Sequence, residues 1–415
     1  MNALVSFDPQ KVKADFPLLQ REIKGRPIRF LDSAASSQKP QVVIDAMSTY
    51  YETINANVHR GVYEIAEAAT NALEAARVRI GRFIGAPHPE TEVIFTKNAT
   101  EALNLVAQSW GRTNLGPGDA VLLTQLEHHA NIVPWFQLQA EKGFEIRWIP
   151  LTADAQLDLS NIDTLLDGVK LFAFTAMSNV SGAITPIADL TRKAHDAGAL
   201  VVLDACQYVP HLPTDLAELG VDFAAFSGHK MLGPTGVGVL WGREELLEAM
   251  PPWLGGGGMI LNVTLDGFTP AALPAKFEAG TPPVAEIIGL GVAVDYLEAL
   301  GMDAVREHEV SLTAYALRTL TERFGDQLTI HGPAEPAGRG GVLSLAMEGI
   351  HPHDLSQVLD EHAVCVRPGH HCAKPLMKVL GVGATARASF YVYNDIDDVD
   401  ALADALADAQ SFFSF

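Results

Sequence analysis

The residues best able to do chemistry stand where apolar runs end. After DFAAFS (222–227) comes Gly228-His229-Lys230-Met231-Leu232-Gly233-Pro234, a lysine between glycines and beside Ser227 and His229. Such a lysine is poorly explained as a solvated charge, and lysine is the side chain that forms Schiff bases with carbonyls. After EVIFT (92–96) comes Lys97-Asn98-Ala99-Thr100-Glu101. Asn98 with Glu101 three residues on is a capping-box-like helix start; its free N–H groups suit an anion as well as an ordinary cap. LVVLDA (200–205) ends in Asp204, with Gln207 three residues on. A carboxylate there either caps a helix or is buried at a cost that a cation must offset. AVLLT (120–124) leads to Glu127-His128-His129, and LFAFTAM (171–177) to Ser178-Asn179. Adjacent histidines without further ligands at suitable spacing do not make a metal site, so none is expected.

Seven apolar runs read as buried strands: the five above, EIRWIP (145–150) and VGVLW (237–241). Helical patterns lie between many of them, at 101–110, 132–142 and 187–197. This alternation predicts an α/β large domain with a mainly parallel seven-stranded sheet. Its ligand crevice lies beyond the carboxyl ends of the strands, where the polar residues fall. Further along come a long helical pattern (287–300 and on to 324), a strand (341–347), a helix (354–362), two strands (363–368 and 386–393) and a last helix (397–412). These predict a small C-terminal α+β domain. The expected division is an N-terminal segment 1–25 packing with the small domain, a large domain 26–290 and a small domain 291–415. The stretches 255–258 and 269–274 read as irregular connection.

Lys plus Arg total 29 and Asp plus Glu 50 in 415 residues, a net charge of −21. That excess argues against a nucleic-acid phosphate-backbone binder. Three cysteines, Cys206, Cys365 and Cys372, form no CxxC pair and no disulfide framework, so a reducing cytoplasm is the expected compartment. The first residues carry acidic groups and no apolar core, unlike a signal peptide. No apolar run reaches the roughly 18–20 residues that span a bilayer.

Together the strand ends supply an anion cradle, an acid, a ring-sized histidine and a Schiff-base lysine at one edge of one sheet. Pyridoxal phosphate needs that set of parts. The sequence resembles the fold-type I pyridoxal-phosphate enzymes, specifically the type II cysteine desulfurases of the SufS group. The stretches that carry the resemblance include LDSAASSQKP (31–40), NVHRGVY (57–63), EHHANIVPW (127–135), FSGHKMLGPTGVG (226–238), FEAGTP (277–282), VRPGHHCAKPLM (366–377) and RASFYVYN (387–394).

The resemblance implies a role for each motif residue. Lys230 bonds the cofactor aldehyde, Asp204 pairs with the pyridine nitrogen, Gln207 with the phenolic oxygen, and His128 stacks on the ring. Ala99, Thr100, Ser227 and His229 cradle the phosphate, completed by Thr281 from a second copy, which implies a homodimer. Arg387 takes the substrate carboxylate with Asn179; His59 and Arg367 are further substrate-pocket candidates or structural residues. Cys372 takes the sulfur of L-cysteine as a persulfide, its flanking imidazoles favouring the thiolate on an exposed loop. Cys206 and Cys365 are expected to be inert core residues. A short cysteine loop implies a docking acceptor protein of SufU or SufE type, and His353 in Gly349-Ile350-His351-Pro352-His353-Asp354 resembles the SufU-partnered members. Asn98, standing where some members have glycine, is expected to tolerate a left-handed turn. The rival readings are a selenocysteine lyase, another fold-type I enzyme such as an aminotransferase, and an inactive scaffold.

Overall fold

The computed structural model of the chain describes residues 7–413. Seven strands form the large sheet: β1 (Val93–Thr96), β2 (Ala120–Thr124), β3 (Glu145–Ile149), β4 (Val169–Thr175), β5 (Leu200–Asp204), β6 (Phe223–Ser227) and β7 (Gly238–Gly242). Their spatial order is β1-β7-β6-β5-β4-β2-β3. Strands β3, β2, β4, β5 and β6 pair in parallel, whereas β7 runs antiparallel to both its neighbours. The short link 228–237 between β6 and β7 allows only that antiparallel return, because a parallel pair needs a longer crossover.

Most of these strands read as unbroken apolar runs because both faces of the sheet are covered. Phe172 and Phe174 point into one core, Leu171 and Ala173 into the other. Edge strand β3 is the exception, with Glu145 exposed and Ile149 buried.

The small domain has a second sheet: β8 (Leu328–His331), β9 (Val342–Met347), β10 (Arg367–Gly369) and β11 (Thr385–Ser389), ordered β8-β9-β11-β10 and antiparallel throughout. Helices Pro352–Glu361 and Ile396–Phe413 supply Leu355, Leu359, Leu402 and Leu406 to its core.

Several boundaries differ from expectation. The long helical pattern is two helices, α1 (Val284–Leu300) and α2 (Met302–Phe324), broken at Gly301 with φ +80°. The division at 290 therefore falls inside α1, whose Leu290, Val294 and Leu297 pack into the large core. Strand β11 stops at Ser389, because Tyr391 and Asn394 close a turn. The region 255–274 holds a hairpin, Ile260–Thr264 with Gly267–Pro270, whose mostly exposed residues show no period to read. Strand β8 was also not expected.

In the N-terminal segment, Lys13 bridges to Asp398 at 3.1 Å and Tyr296 donates to Asp15 at 2.7 Å, so it touches both the C-terminal helix and α1; its residues 1–6 lie outside those described. Arg29–Phe30 pairs in parallel with Val364–Cys365, tying the expected start of the large domain to the small one. Among the described residues, no helix is long and apolar enough to cross a membrane.

Candidate active site

The carboxyl ends of β4, β5 and β6 open into a cavity of about 210 Å³, closed on its far side by the small domain. Its lining brings together Ala99, Thr100, His128, Asn179, Asp204, Gln207, Ser227, His229, Lys230, Arg367, Cys372 and Arg387, segments far apart in sequence.

The turn after β1 starts a helix, Ala99–Val106, whose first turn faces the cavity. Asn98 Oδ1 accepts from the Glu101 N–H at 3.0 Å, and the Glu101 carboxylate accepts from the Lys97 N–H at 2.6 Å. The capping box is thus present, its return bond reaching one residue further back. Asn98 has φ −175°, ordinary extended backbone, so it serves as the N-cap and its tolerance for a left-handed turn is not needed. Glycine is needed on the neighbouring strand instead: a Cβ on Gly238 would lie 2.5 Å from Asn98 Cα. The Ala99 N–H, expected to face a phosphate, donates to Ser227 Oγ at 2.9 Å and locks the two cradle segments together.

Asp204 is buried at the end of β5, where its carboxylate accepts from the Cys206 N–H at 3.1 Å. Gln207 is buried beside it; Nε2 donates to the Ala34 carbonyl at 2.8 Å, and Oε1 has no partner. His128 Nδ1 accepts from the Ala130 N–H at 3.0 Å, which places the proton of the neutral ring on Nε2. Burial, then the Lys230 ammonium, pushes His128 down to about 4. His229 falls to about 4 for the same reasons, with Lys39 adding to Lys230. Both imidazoles are therefore neutral at neutral pH.

Arg387 is fully buried on β11. It donates to the Asn179 carbonyl at 2.9 Å and to Asp32 Oδ1 at 3.3 Å, while Nε has no partner. Burial lowers it to about 10, still a cation at neutral pH. The same burial raises Asp32, against the pull of Arg387.

Cys372 is half-buried, not exposed, and has φ +54° after His371 at φ +51°. Two consecutive non-glycine residues in this region store strain of order 1–3 kcal/mol each. Of the two imidazoles expected to favour the thiolate, His371 is held neutral. His371 is buried, its Nε2 sits 2.8 Å from Thr385 Oγ1, and burial with the two guanidiniums pushes it down to about 3. Arg367, Arg387 and Lys230 share the cavity with Cys372.

Cys206 packs against a core cluster as expected and also lines the same cavity, and burial raises its thiol far above the usual range. Cys365 is half-buried in its short strand. His59 and Thr281 do not reach the cavity. They line a second one, of about 550 Å³, with Arg77, Glu278 and Gly258. His353 is exposed at the start of its helix; His351 caps it, and the two rings stack at 5.5 Å.

Two participants escaped sequence reasoning. Asp32, the partner of Arg387, had no signal beyond its place in LDSAASSQKP. Glu127, fully buried and held near 8 by burial, accepts from the Thr175 N–H at 2.9 Å and Asn131 Nδ2 at 2.7 Å, bracing the loop that carries His128.

The chain matches the model of the class V aminotransferases over residues 29–402. It belongs to that family. A probable cysteine desulfurase of Streptomyces coelicolor is 49% identical, the match covering 98% of each chain. The cysteine desulfurase of Haloferax volcanii is 43% identical, again over 98% of each. Among solved structures, the cysteine desulfurase CsdA of Escherichia coli superposes with a TM-score of 0.90 at 38% identity, covering 98% of this chain and 99% of that one. The apo cysteine desulfurase of Thermococcus onnurineus superposes with a TM-score of 0.92 at 38% identity, covering 97% and 98%. The fold is that of the fold-type I aminotransferases, and the family depends on pyridoxal phosphate. The cavity fits that group: unpartnered Gln207 Oε1 and Arg387 Nε are buried polar atoms that a polar ligand would satisfy.

Proposed function

We propose that the chain is a pyridoxal-phosphate-dependent cysteine desulfurase of the SufS group, converting L-cysteine to L-alanine and carrying the sulfur on Cys372. The observation that carries this reading is one cavity shared by Lys230, Asp204, Arg387 and Cys372. The sequence relatives named cysteine desulfurase support it.

Lys230, Asp204, Gln207 and His128 would hold the ring of the cofactor, and Thr100, Ser227 and His229 its phosphate. Pyridoxal phosphate, when bound, supplies an aldehyde for Lys230 and a ring that takes up the electron pair released at Cα. Arg387 binds the substrate carboxylate through its guanidinium, a geometry suited to a two-pronged contact. Asn179 steadies both Arg387, through its carbonyl, and the cysteine loop, through its amide. Lys230 Nζ takes the Cα proton. Cys372 Sγ, as thiolate, bonds to the substrate sulfur while the substrate C–S bond breaks. The carbon keeps that electron pair and gains a proton, so alanine leaves and a persulfide remains on Cys372. A thiol of an acceptor then removes the outer sulfur.

The functional unit in this reading is a cytoplasmic homodimer, in which Thr281 of each copy completes the phosphate cradle of the other. The acceptor is of SufU type in preference to SufE, with His353 exposed to meet it, and the sulfur serves iron–sulfur cluster assembly. Alanine release from L-cysteine, with each acceptor added in turn, tests all of this. Cys372→Ala is expected to abolish sulfur transfer and to leave no persulfide on the protein by mass spectrometry. Full turnover in that variant excludes the assignment, and stimulation by SufE alone excludes the SufU pairing.

A further inference from the structure

Lys230 sits on a single tight turn, Gly228–Lys230, and the chain that follows is strained, with Leu232 at φ +64°. A turn this short does not by itself fix the direction of its lysine. The carbonyl just before Lys230, that of His229, receives four donors from one segment. They are the Ser37 N–H at 3.0 Å, Ser37 Oγ at 3.1 Å, Ser36 Oγ at 3.2 Å and Lys39 Nζ at 2.9 Å. The same Ser37 Oγ accepts from the Leu232 N–H at 2.8 Å, so the segment grips the turn on both sides of Lys230.

Lys39 is the charged member of this grip. Its ammonium also donates to the Ser37 carbonyl, drawing the two backbones together. Burial alone pushes it down to about 7, with no carboxylate offsetting the desolvation. Such a placement is unfavourable for a lysine unless the carbonyls it holds need holding. The grip extends toward the substrate side. Asp32 pairs with Arg387, the Ala34 N–H donates to Ser389 Oγ at 2.9 Å, and the Gln38 N–H donates to Tyr393 Oη at 3.1 Å. One segment, 32–39, thus touches both the turn of Lys230 and the strand of Arg387.

We propose that Lys39 is a positioning residue, whose ammonium clamps the carbonyl preceding Lys230 and so sets the direction in which Lys230 enters the cavity. This rests on the functional reading above only for what Lys230 does; the clamp itself is a property of the fold.

The test compares wild type, Lys39→Met and Lys39→Arg, with Ser37→Ala as a second cut at the same grip. Amide hydrogen exchange by mass spectrometry is read on the apoprotein, and L-cysteine turnover on the holoenzyme. Removing a charged donor is expected to speed exchange in the 228–233 peptide about tenfold or more in Lys39→Met. Peptides of β2 and β4 stay unchanged, Lys39→Arg recovers protection, and Ser37→Ala speeds exchange in the same peptide. Turnover in Lys39→Met falls by up to about 10²-fold, the size of effect a misplaced reacting group produces. Unchanged exchange at 228–233, or faster exchange throughout the protein, overturns the proposal. Because exchange is read without substrate or cofactor, absent turnover in the wild type counts against the functional reading and leaves the clamp to be judged separately.

Discussion

The backbone N–H of His129 donates to the carbonyl oxygen of Cys372 at 2.7 Å. Asn179 Nδ2 makes a matching bond to the His371 carbonyl, also at 2.7 Å. The two donors come from the ends of β2 and β4, so the large sheet holds the cysteine loop of the small domain in its left-handed conformation. The position of Cys372 is therefore set by the loops that follow β2 and β4.

Asn179→Ala removes one of these restraints and leaves the backbone contact with Arg387 intact. Turnover of L-cysteine is expected to fall roughly tenfold, within the range a displaced reacting atom costs. Steady-state kinetics check this, with exchange in the 369–374 peptide rising in parallel.

Arg387→Lys keeps a charge but loses the planar fork. KM for L-cysteine is expected to rise roughly 10- to 100-fold, because a charged bidentate contact is exchanged for a point charge. The change is read from initial rates across substrate concentrations.

Gly238→Ala forces a Cβ to 2.5 Å from the backbone Cα of Asn98, which cannot swing aside as a side chain could. Overpacking of this kind costs about 1–3 kcal/mol. The expected result is a lower melting temperature and weaker retention of pyridoxal phosphate, measured by titrating the apoprotein.

Cys206 and Cys372 line one cavity, yet burial keeps the Cys206 thiol protonated. Iodoacetamide is expected to label Cys372 and spare Cys206 in the folded protein, because the thiolate is the nucleophile. Peptide mapping decides it.

His128, His229 and His371 are held near 4, 4 and 3, below the ordinary 6.5 of the unfolded chain. The unfolded state therefore binds more protons between these values. Their contribution to stability is complete above about 6.5 and is lost as the pH falls toward 3. Urea midpoints of the apoprotein should fall over that window, and His371→Asn should flatten the slope.

The strands and the chemistry at their ends were legible along the chain. Alternating short apolar runs and helical periods reflect neighbours within a few residues, so they marked out β1 to β7 and placed Lys230, Asp204 and Asn179 at one edge. The capping box at Asn98 was legible for the same reason. The exposed hairpin at 260–270 and the break at Gly301 were not, because neither changes the local apolar pattern enough to be seen.

What tertiary structure alone decided is what faces what. Asp32 meets Arg387 across 355 positions of chain, because the segment that carries Asp32 bridges to Ser389 at the end of the strand of Arg387. The neutrality of His371 follows from burial beside two guanidiniums, a property of its surroundings and not of the motif GHHC. The cavity also gained Cys206 and left His59 with Thr281 in a second one, since which side of a strand end faces solvent depends on how the chain packs above it. Residue types and spacing determined which chemistry was available; the long-range packing determined which groups share one desolvated space, and so which of them can act together.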